Sequence, residues 1–206
     1  MKVMNVTKTY ALDDIQNLDF PRLYESGFKV LSSDLDRTLL GQYDEDIISA
    51  REDMFRRIGD TDLEFALVSN AHGERIKRVR RVANIIGEMI GRECICVVPD
   101  DVDGRKKPHA DMLMFALQSI GIYKPHCALH VGDQIRSDVK AAEAAGFRVA
   151  VAVKPMGEGD DPIVRAIGRP LIEPLLRSKH GLPLKLDDFP GSLPDEAYHT
   201  DLPVLS

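Results

Sequence analysis

Short apolar segments alternate with amphipathic segments along most of the chain. Apolar runs at 28–31, 63–68, 95–98, 127–131 and 148–153 have the length of strands, and the apolar spacing over 44–58, 74–90, 108–120 and 137–145 predicts helices. This alternation predicts a three-layer, Rossmann-like α/β fold, in which helices cover both faces of a parallel sheet. Functional residues of such folds lie at the carboxyl ends of the strands.

The two ends of the chain differ from this alternating body. Residues 1–27 are interpreted as a loose lead-in with a short helix that ends at Gly27 and covers one edge of the core. The body is expected to span 28–178 and to include a last helix at 162–178. Residues 180–206 contain four prolines and several acidic residues, which is typical of an irregular tail.

Net charge, apolar runs and cysteine spacing argue against several classes of protein. The 206 residues carry a formal net charge of -6, which argues against broad electrostatic binding to nucleic acid. No apolar run is long enough to span a bilayer and no secretory signal precedes the body, so we expect a cytoplasmic protein. The three cysteines lack the spacing of a zinc site.

Polar residues of particular kinds follow four of the predicted strands. In an extended chain residues i and i+2 point to the same side, so Asp34 and Asp36 are expected to converge after the first strand. Two neighbouring carboxylates repel each other and favour a hard divalent cation. The candidate site residues, in chain order, are Asp34, Asp36, Ser69, Asn70, Lys107, Asp133 and Asp138.

Each of these residues also has a purely structural interpretation. Asp34 and Asp36 fit a turn after a buried strand. Ser69 and Asn70 fit the cap of the next helix, Lys107 fits a surface charge, and an acid at position 138 suits the first turn of a helix. The residues taken together favour a site that binds and transfers a phosphoryl group.

The chain resembles the haloacid dehalogenase superfamily of aspartyl-phosphate phosphatases over residues 21–153. Its four motifs are matched in order by Asp34-x-Asp36-x-Thr38, Ser69, Lys107-Pro108 and Gly132-Asp133 with Asp138. The pairs Ser69-Asn70 and Lys107-Pro108 resemble subclass IIIA, the group related to phosphatidylglycerophosphate phosphatase. Arg37 and Ala71 stand where that group usually has asparagine. Receiver domains share similar residues but place the phosphorylated aspartate in a later strand.

The resemblance implies a role for each site residue. Asp34 is expected to attack phosphorus, and Asp36 to act as general acid and base. Mg²⁺ is expected at Asp34, Asp36 (through its backbone carbonyl) and Asp133, with Asp138 in support of the metal shell. Lys107, Ser69 and Asn70 are expected to bind the phosphate and to offset its charge.

The spacing of the motifs predicts an open site. Between Asp36 and Ser69, and again between Ser69 and Lys107, one helix and one strand fill the interval and leave no room for a cap domain. We therefore expect a Mg²⁺-dependent phosphomonoesterase for a large or lipid-borne phosphate, such as phosphatidylglycerophosphate, with peripheral membrane contact through the basic helix around residues 75–81. The alternatives are a non-catalytic binding module and a phosphatase acting on nucleic-acid ends.

Overall fold

The fold is a six-stranded parallel sheet with helices packed on both faces. The structure, a computed structural model, describes residues 7–41 and 48–156. The strands are β1 Lys8–Leu12, β2 Val30–Ser33, β3 Glu64–Val68, β4 Ile95–Val97, β5 Ala128–Gly132 and β6 Val149–Val153. Their order in the sheet is β1-β6-β5-β2-β3-β4. The expected α/β architecture is thereby confirmed, with β2 between β5 and β3 near the centre.

In the described part of the chain, five α-helices cover the sheet: α1 Phe20–Glu25, α2 Ile48–Gly59, α3 Arg75–Ile90, α4 Asp111–Ile120 and α5 Lys140–Ala145. Residues of α1, α2 and α3 pack on one face in a core that includes Leu31, Phe65 and Leu129. Residues of α4 and α5 pack on the other face against Val30 and Ala66. Adjacent strand residues point to opposite faces, so Val30 and Leu31 serve different cores. None of the helices in residues 7–41 and 48–156 has the length and hydrophobicity of a membrane-spanning segment.

The N-terminal segment contributes more than the expected lead-in. Lys8–Leu12 forms the edge strand β1, which pairs in parallel with β6 in the register Lys8↔Val149 to Leu12↔Val153. Tyr10 and Leu12 are buried in the core on the face covered by α1, α2 and α3. The short helix before Gly27 is present as α1, with the Asp19 side chain capping it by accepting a hydrogen bond from the Arg22 amide. The chain up to Gly27 therefore completes the sheet as well as covering it.

Two other segments also differ from the sequence expectations. Pro108 does not open α4, which begins at Asp111; it follows a cis Lys107–Pro108 peptide bond in a turn. A π-helical turn, Ile135–Val139, precedes α5 where a single helix from residue 137 was expected. The predicted helix at 162–178 and the tail at 180–206 lie outside the described residues.

Candidate active site

The ammonium group of Lys107 joins two aspartates from different strand ends. Its Nζ donates to Asp34 Oδ1 at 2.7 Å, to Asp138 Oδ1 at 2.6 Å and to the Val68 carbonyl at 2.8 Å. These three acceptors use the three donors of an ammonium. Lys107 is 5% exposed, which rules out its interpretation as a surface charge.

The order of the strands explains why these residues meet. Asp34 follows β2 and its amide donates to the Val131 carbonyl of β5 at 2.9 Å, so Asp34 lies beside the strand that leads to Asp133 and Asp138. Gly132 lets the Asp138 carboxyl approach the end of β5 closely, since a Cβ on Gly132 would lie 2.2 Å from Asp138 Cγ. The glycine of the Gly132-Asp133 motif is therefore required by packing.

Asn70 fixes the backbone of Lys107. Its Oδ1 accepts from the Lys107 amide at 2.8 Å, and its Nδ2 donates to the Lys107 carbonyl at 3.2 Å. This pairing occupies both ends of the amide that sequence analysis assigned to phosphate. We therefore regard Asn70 as a positioning residue for Lys107.

Ser69 is buried at the end of β3. Its hydroxyl accepts from the Ala71 amide at 3.2 Å and retains its own proton for donation. It does not cap α3, whose preceding residue is Glu74. Within residues 7–41 and 48–156 this hydroxyl donates to no acceptor, so its proton is available for a bound anion.

Asp138 is fully hydrogen-bonded within the protein. Besides the bond from Lys107, its Oδ2 accepts from the Gln134 amide at 3.0 Å and from the Ser137 hydroxyl at 3.3 Å. Although burial alone would raise the pKa of Asp138, Lys107 and His130 hold it well below its usual value. Asp138 is therefore a fixed anion that orients Lys107, and its oxygens are already committed.

The net shift of the Asp34 pKa is in the opposite direction. Loss of solvent, together with the charges of Asp138 and Asp133, raises the pKa of Asp34 to about 8 although Lys107 opposes the change. For Lys107, burial alone would lower the pKa, but Asp138 and Asp34 raise it. The ammonium is thus permanently charged, and a further cation would favour the ionised form of Asp34.

Sequence reasoning did not identify His130, which lies behind this network. The strand register places His130 opposite Ser32, whose hydroxyl is 2.9 Å from His130 Nδ1. His130 Nε2 is 3.5 Å from Asp138 Oδ1, and burial lowers the pKa of the imidazole. The only sequence signal was a histidine within the apolar strand Ala128–Gly132.

Asp36 belongs to a second, more exposed group. Its Oδ1 accepts from Arg78 Nη1 at 2.8 Å, and its Oδ2 is paired with Arg75. Both arginines come from the start of α3, three residues apart and thus on one face of the helix. The two carboxylates of the motif therefore have separate cationic partners, Lys107 for Asp34 and two arginines for Asp36.

Arg37 lies in the turn that directly follows Asp36, close to the network around Lys107. It has a left-handed backbone with φ of 67°, a conformation that asparagine adopts more readily. Its carbonyl accepts from the Met156 amide at 2.7 Å, and its Nε is 3.8 Å from Asp133 Oδ2. Arg37 therefore serves local structure and faces the expected metal ligand Asp133.

Two further basic side chains of α3 are also engaged in ion pairs. Lys77 is paired with Glu74 at 2.8 Å, and Arg80 with Asp101 at 2.9 Å. With Arg75 and Arg78 on Asp36, four of the five basic residues at positions 75–81 contact acids of this chain. A membrane contact through this helix would have to compete with these pairs.

The donors near Asp34 fit a magnesium ion. In residues 7–41 and 48–156, no three side chains among His, Cys, Asp and Glu form a cluster able to hold a metal. The expected ligands are two carboxylates, Asp34 and Asp133, and the carbonyl of Asp36; such hard oxygen donors suit Mg²⁺, which commonly keeps several waters. The buried carboxylates around a single ammonium supply the negative charge that such an ion would balance.

Comparison with known proteins identifies the family. A sequence profile described as haloacid dehalogenase-like hydrolase matches residues 11–146, more than half of the chain. The chain belongs to this hydrolase family. The match begins within β1, before the first residue of the resemblance noted from sequence. No curated protein matches the chain significantly.

The chain is also similar to solved structures at low sequence identity. An uncharacterized protein from Listeria monocytogenes serotype 4b is 18% identical, with a TM-score of 0.50 over 65% of this chain and 85% of its own. A haloacid dehalogenase family hydrolase from Deinococcus radiodurans R1, solved with bound phosphate and sodium, is 19% identical with a TM-score of 0.49. That similarity covers 68% of this chain and 87% of the other.

Proposed function

We propose that the protein is a Mg²⁺-dependent phosphomonoesterase that works through an aspartyl phosphate on Asp34. The observation that supports this most directly is the Lys107 ammonium 2.7 Å from Asp34 Oδ1 at the carboxyl edge of the sheet. A carboxylate nucleophile approaching an anionic phosphate requires charge compensation at that position. Lys107 supplies it from a buried and fixed location.

In the first step, an oxygen of Asp34 bonds to phosphorus and the ester P–O bond breaks. The leaving oxygen takes a proton from Asp36. In the second step, water gives a proton to Asp36 and its oxygen bonds to phosphorus, which releases inorganic phosphate and restores Asp34. Lys107 and the Ser69 hydroxyl would stabilise the phosphoryl oxygens. Mg²⁺, bound by Asp34, Asp133 and the Asp36 carbonyl, would supply the remaining positive charge.

The proposed substrate is a phosphate ester on a large group, with a lipid headgroup such as phosphatidylglycerophosphate as the leading case. The intervals between the motif residues contain α2 with β3 and α3 with β4, elements that belong to the sheet and its covering layer. The open site that this spacing predicts would admit a bulky leaving group. Comparing phosphate release from that lipid in micelles with release from glycerol 3-phosphate tests this choice, and equal rates would contradict it.

The test of the activity is phosphate release from p-nitrophenyl phosphate, with and without Mg²⁺, by the native chain and by Asp34→Asn. Metal-dependent release that Asp34→Asn abolishes is the expected result. Asp100→Asn, at an exposed aspartate of the short helix Pro99–Val102, is the matched control and should keep full activity. Release that persists in Asp34→Asn would overturn the assignment of the nucleophile.

A further inference from the structure

Asp36 is held by two arginines in a way that conflicts with its proposed task. A general acid must lie within hydrogen-bond reach of the leaving oxygen. In the structure one carboxylate oxygen is paired with Arg75 and the other with Arg78. At least one arginine must therefore release Asp36 before it can serve the leaving group.

The two arginines differ in how firmly they are held. The Arg78 side chain is 17% exposed, and besides Asp36 it donates to the Gly41 carbonyl at 3.2 Å. The Arg75 side chain is 42% exposed, and within residues 7–41 and 48–156 its side chain contacts no acceptor other than Asp36. Arg75 is thus the partner that can leave, while Arg78 keeps Asp36 in place.

Departure of Arg75 is easiest when a second anion receives its guanidinium. Exchanging one carboxylate for another anion keeps the charge paired, whereas moving Arg75 into water gives up the pair. The anion must belong to the leaving group, because the transferred phosphoryl group faces Asp34 and Lys107. A neutral leaving group offers no such exchange.

We propose that Arg75 is a specificity-determining residue that selects phosphomonoesters whose leaving group carries a negative charge, and that their binding releases Asp36. This inference rests on the proposed function. The selected chemistry is an anion near the ester oxygen, whether a carboxylate on a soluble substrate or a phosphodiester in a lipid headgroup. Arg78 acts as a positioning residue that holds Asp36 beside the site.

The test compares 3-phosphoglycerate with glycerol 3-phosphate, two esters that differ by a carboxylate in the leaving group. The native full chain with Mg²⁺ should show a higher kcat/KM for 3-phosphoglycerate, by up to about fivefold, the range expected for one partly exposed ion pair. Arg75→Gln should lower kcat/KM for 3-phosphoglycerate and raise kcat for glycerol 3-phosphate, because Asp36 is freed. A purely structural role for Arg75 would lower both.

Lys77→Gln is the matched control. It removes the same charge two residues along α3, at a side chain that is 79% exposed and paired with Glu74. The preference for 3-phosphoglycerate should survive in this variant. Loss of the preference in both variants would show that general positive charge produces it, and would overturn the inference.

Other outcomes separate the inference from the proposed function. The inference alone would be overturned if phosphate release depended on Asp34 but was equal for the two esters. It would also be overturned if Arg75→Gln left the preference for 3-phosphoglycerate unchanged. No release from any ester would overturn the proposed function, and calorimetric titration of the same two esters would then decide the inference. Tighter binding of 3-phosphoglycerate that Arg75→Gln removes would support it, and equal binding would overturn it. Phosphatidylglycerophosphate in mixed micelles, as a third ester, distinguishes the lipid source of the anion from the soluble one.

Discussion

The two aspartates of the Asp34-x-Asp36 motif lie in contrasting environments. Asp34 faces a buried network in which Lys107 and Asp138 are each satisfied by several partners. Asp36 faces two arginines of α3 at a partly exposed position, where the carboxylate is 18% exposed. The comparison shows how one short motif can supply a fixed group and an adjustable one. We expect the buried half to hold its geometry and the outer half to respond to a ligand.

The largest effect is expected for Lys107→Met, which breaks the buried network. Asp34 and Asp138 would lose their shared cation, and removing one partner of a buried ion pair typically costs about 3–5 kcal/mol. The free energy of unfolding, measured in urea, should fall by that amount and phosphate release should cease. Lys106→Met, at the exposed neighbouring lysine, should change neither. Equal stability of the two variants would show that the network contributes little.

A smaller effect is expected for Gly132→Ala, which forces a methyl group against Asp138. The added Cβ would lie 2.2 Å from Asp138 Cγ, and hydrogen bonds hold Asp138 in place. We therefore expect the free energy of unfolding to fall by about 1–3 kcal/mol. Gly73→Ala is the comparison, because Gly73 has φ of +58° and open space around it. That variant reports the backbone penalty alone, about 1–2 kcal/mol, with activity retained. Retention of full activity by Gly132→Ala would contradict the close packing of Asp138.

Asn70→Ala tests whether Asn70 acts through Lys107. Loss of its two hydrogen bonds to the Lys107 backbone should reduce the free energy of unfolding by about 1–3 kcal/mol. If the role is positioning, kcat should fall while KM for p-nitrophenyl phosphate changes little. A rise in KM alone, with kcat unchanged, would instead support the direct phosphate contact predicted from sequence.

The smallest effect on stability is expected in the outer group. Arg78→Gln removes one partly exposed ion pair, so the free energy of unfolding should change by about 1 kcal/mol or less. Its effect should instead appear in kcat, because Asp36 would lose its anchor. A stability loss as large as that of Lys107→Met would contradict the division into a fixed half and an adjustable half.

The sequence predicted those parts of the site in which a local pattern, a polar residue after a strand, combines with the geometry of a parallel sheet. Asp34, Lys107 and Asp138 were grouped because each follows a strand, and the parallel sheet brings strand ends together. The edge strand β1 was missed because its pairing partner, β6, lies about 140 residues further along the chain. No local pattern reports that pairing.

For a similar reason, the sequence did not predict the hydrogen-bond and ion-pair partners of Asn70 and Asp36. The amide of Asn70 reaches the backbone of Lys107, and that contact depends on how the turn before α4 is placed. The sequence predicted a basic helix around residues 75–81 that contacts a membrane surface, and no local pattern indicated that its arginines pair with an acid of the site. Only the tertiary structure shows that Arg75 and Arg78 turn toward Asp36.

The central claim is that Asp34 becomes covalently phosphorylated. Borohydride reduces an acyl phosphate to an alcohol, so adding it during turnover of p-nitrophenyl phosphate with Mg²⁺ should convert the phosphorylated aspartate to homoserine. Peptide mass mapping should then find homoserine at position 34, only when substrate is present and not in Asp34→Asn. Phosphate release without homoserine at position 34, or with homoserine at another aspartate, would contradict the account.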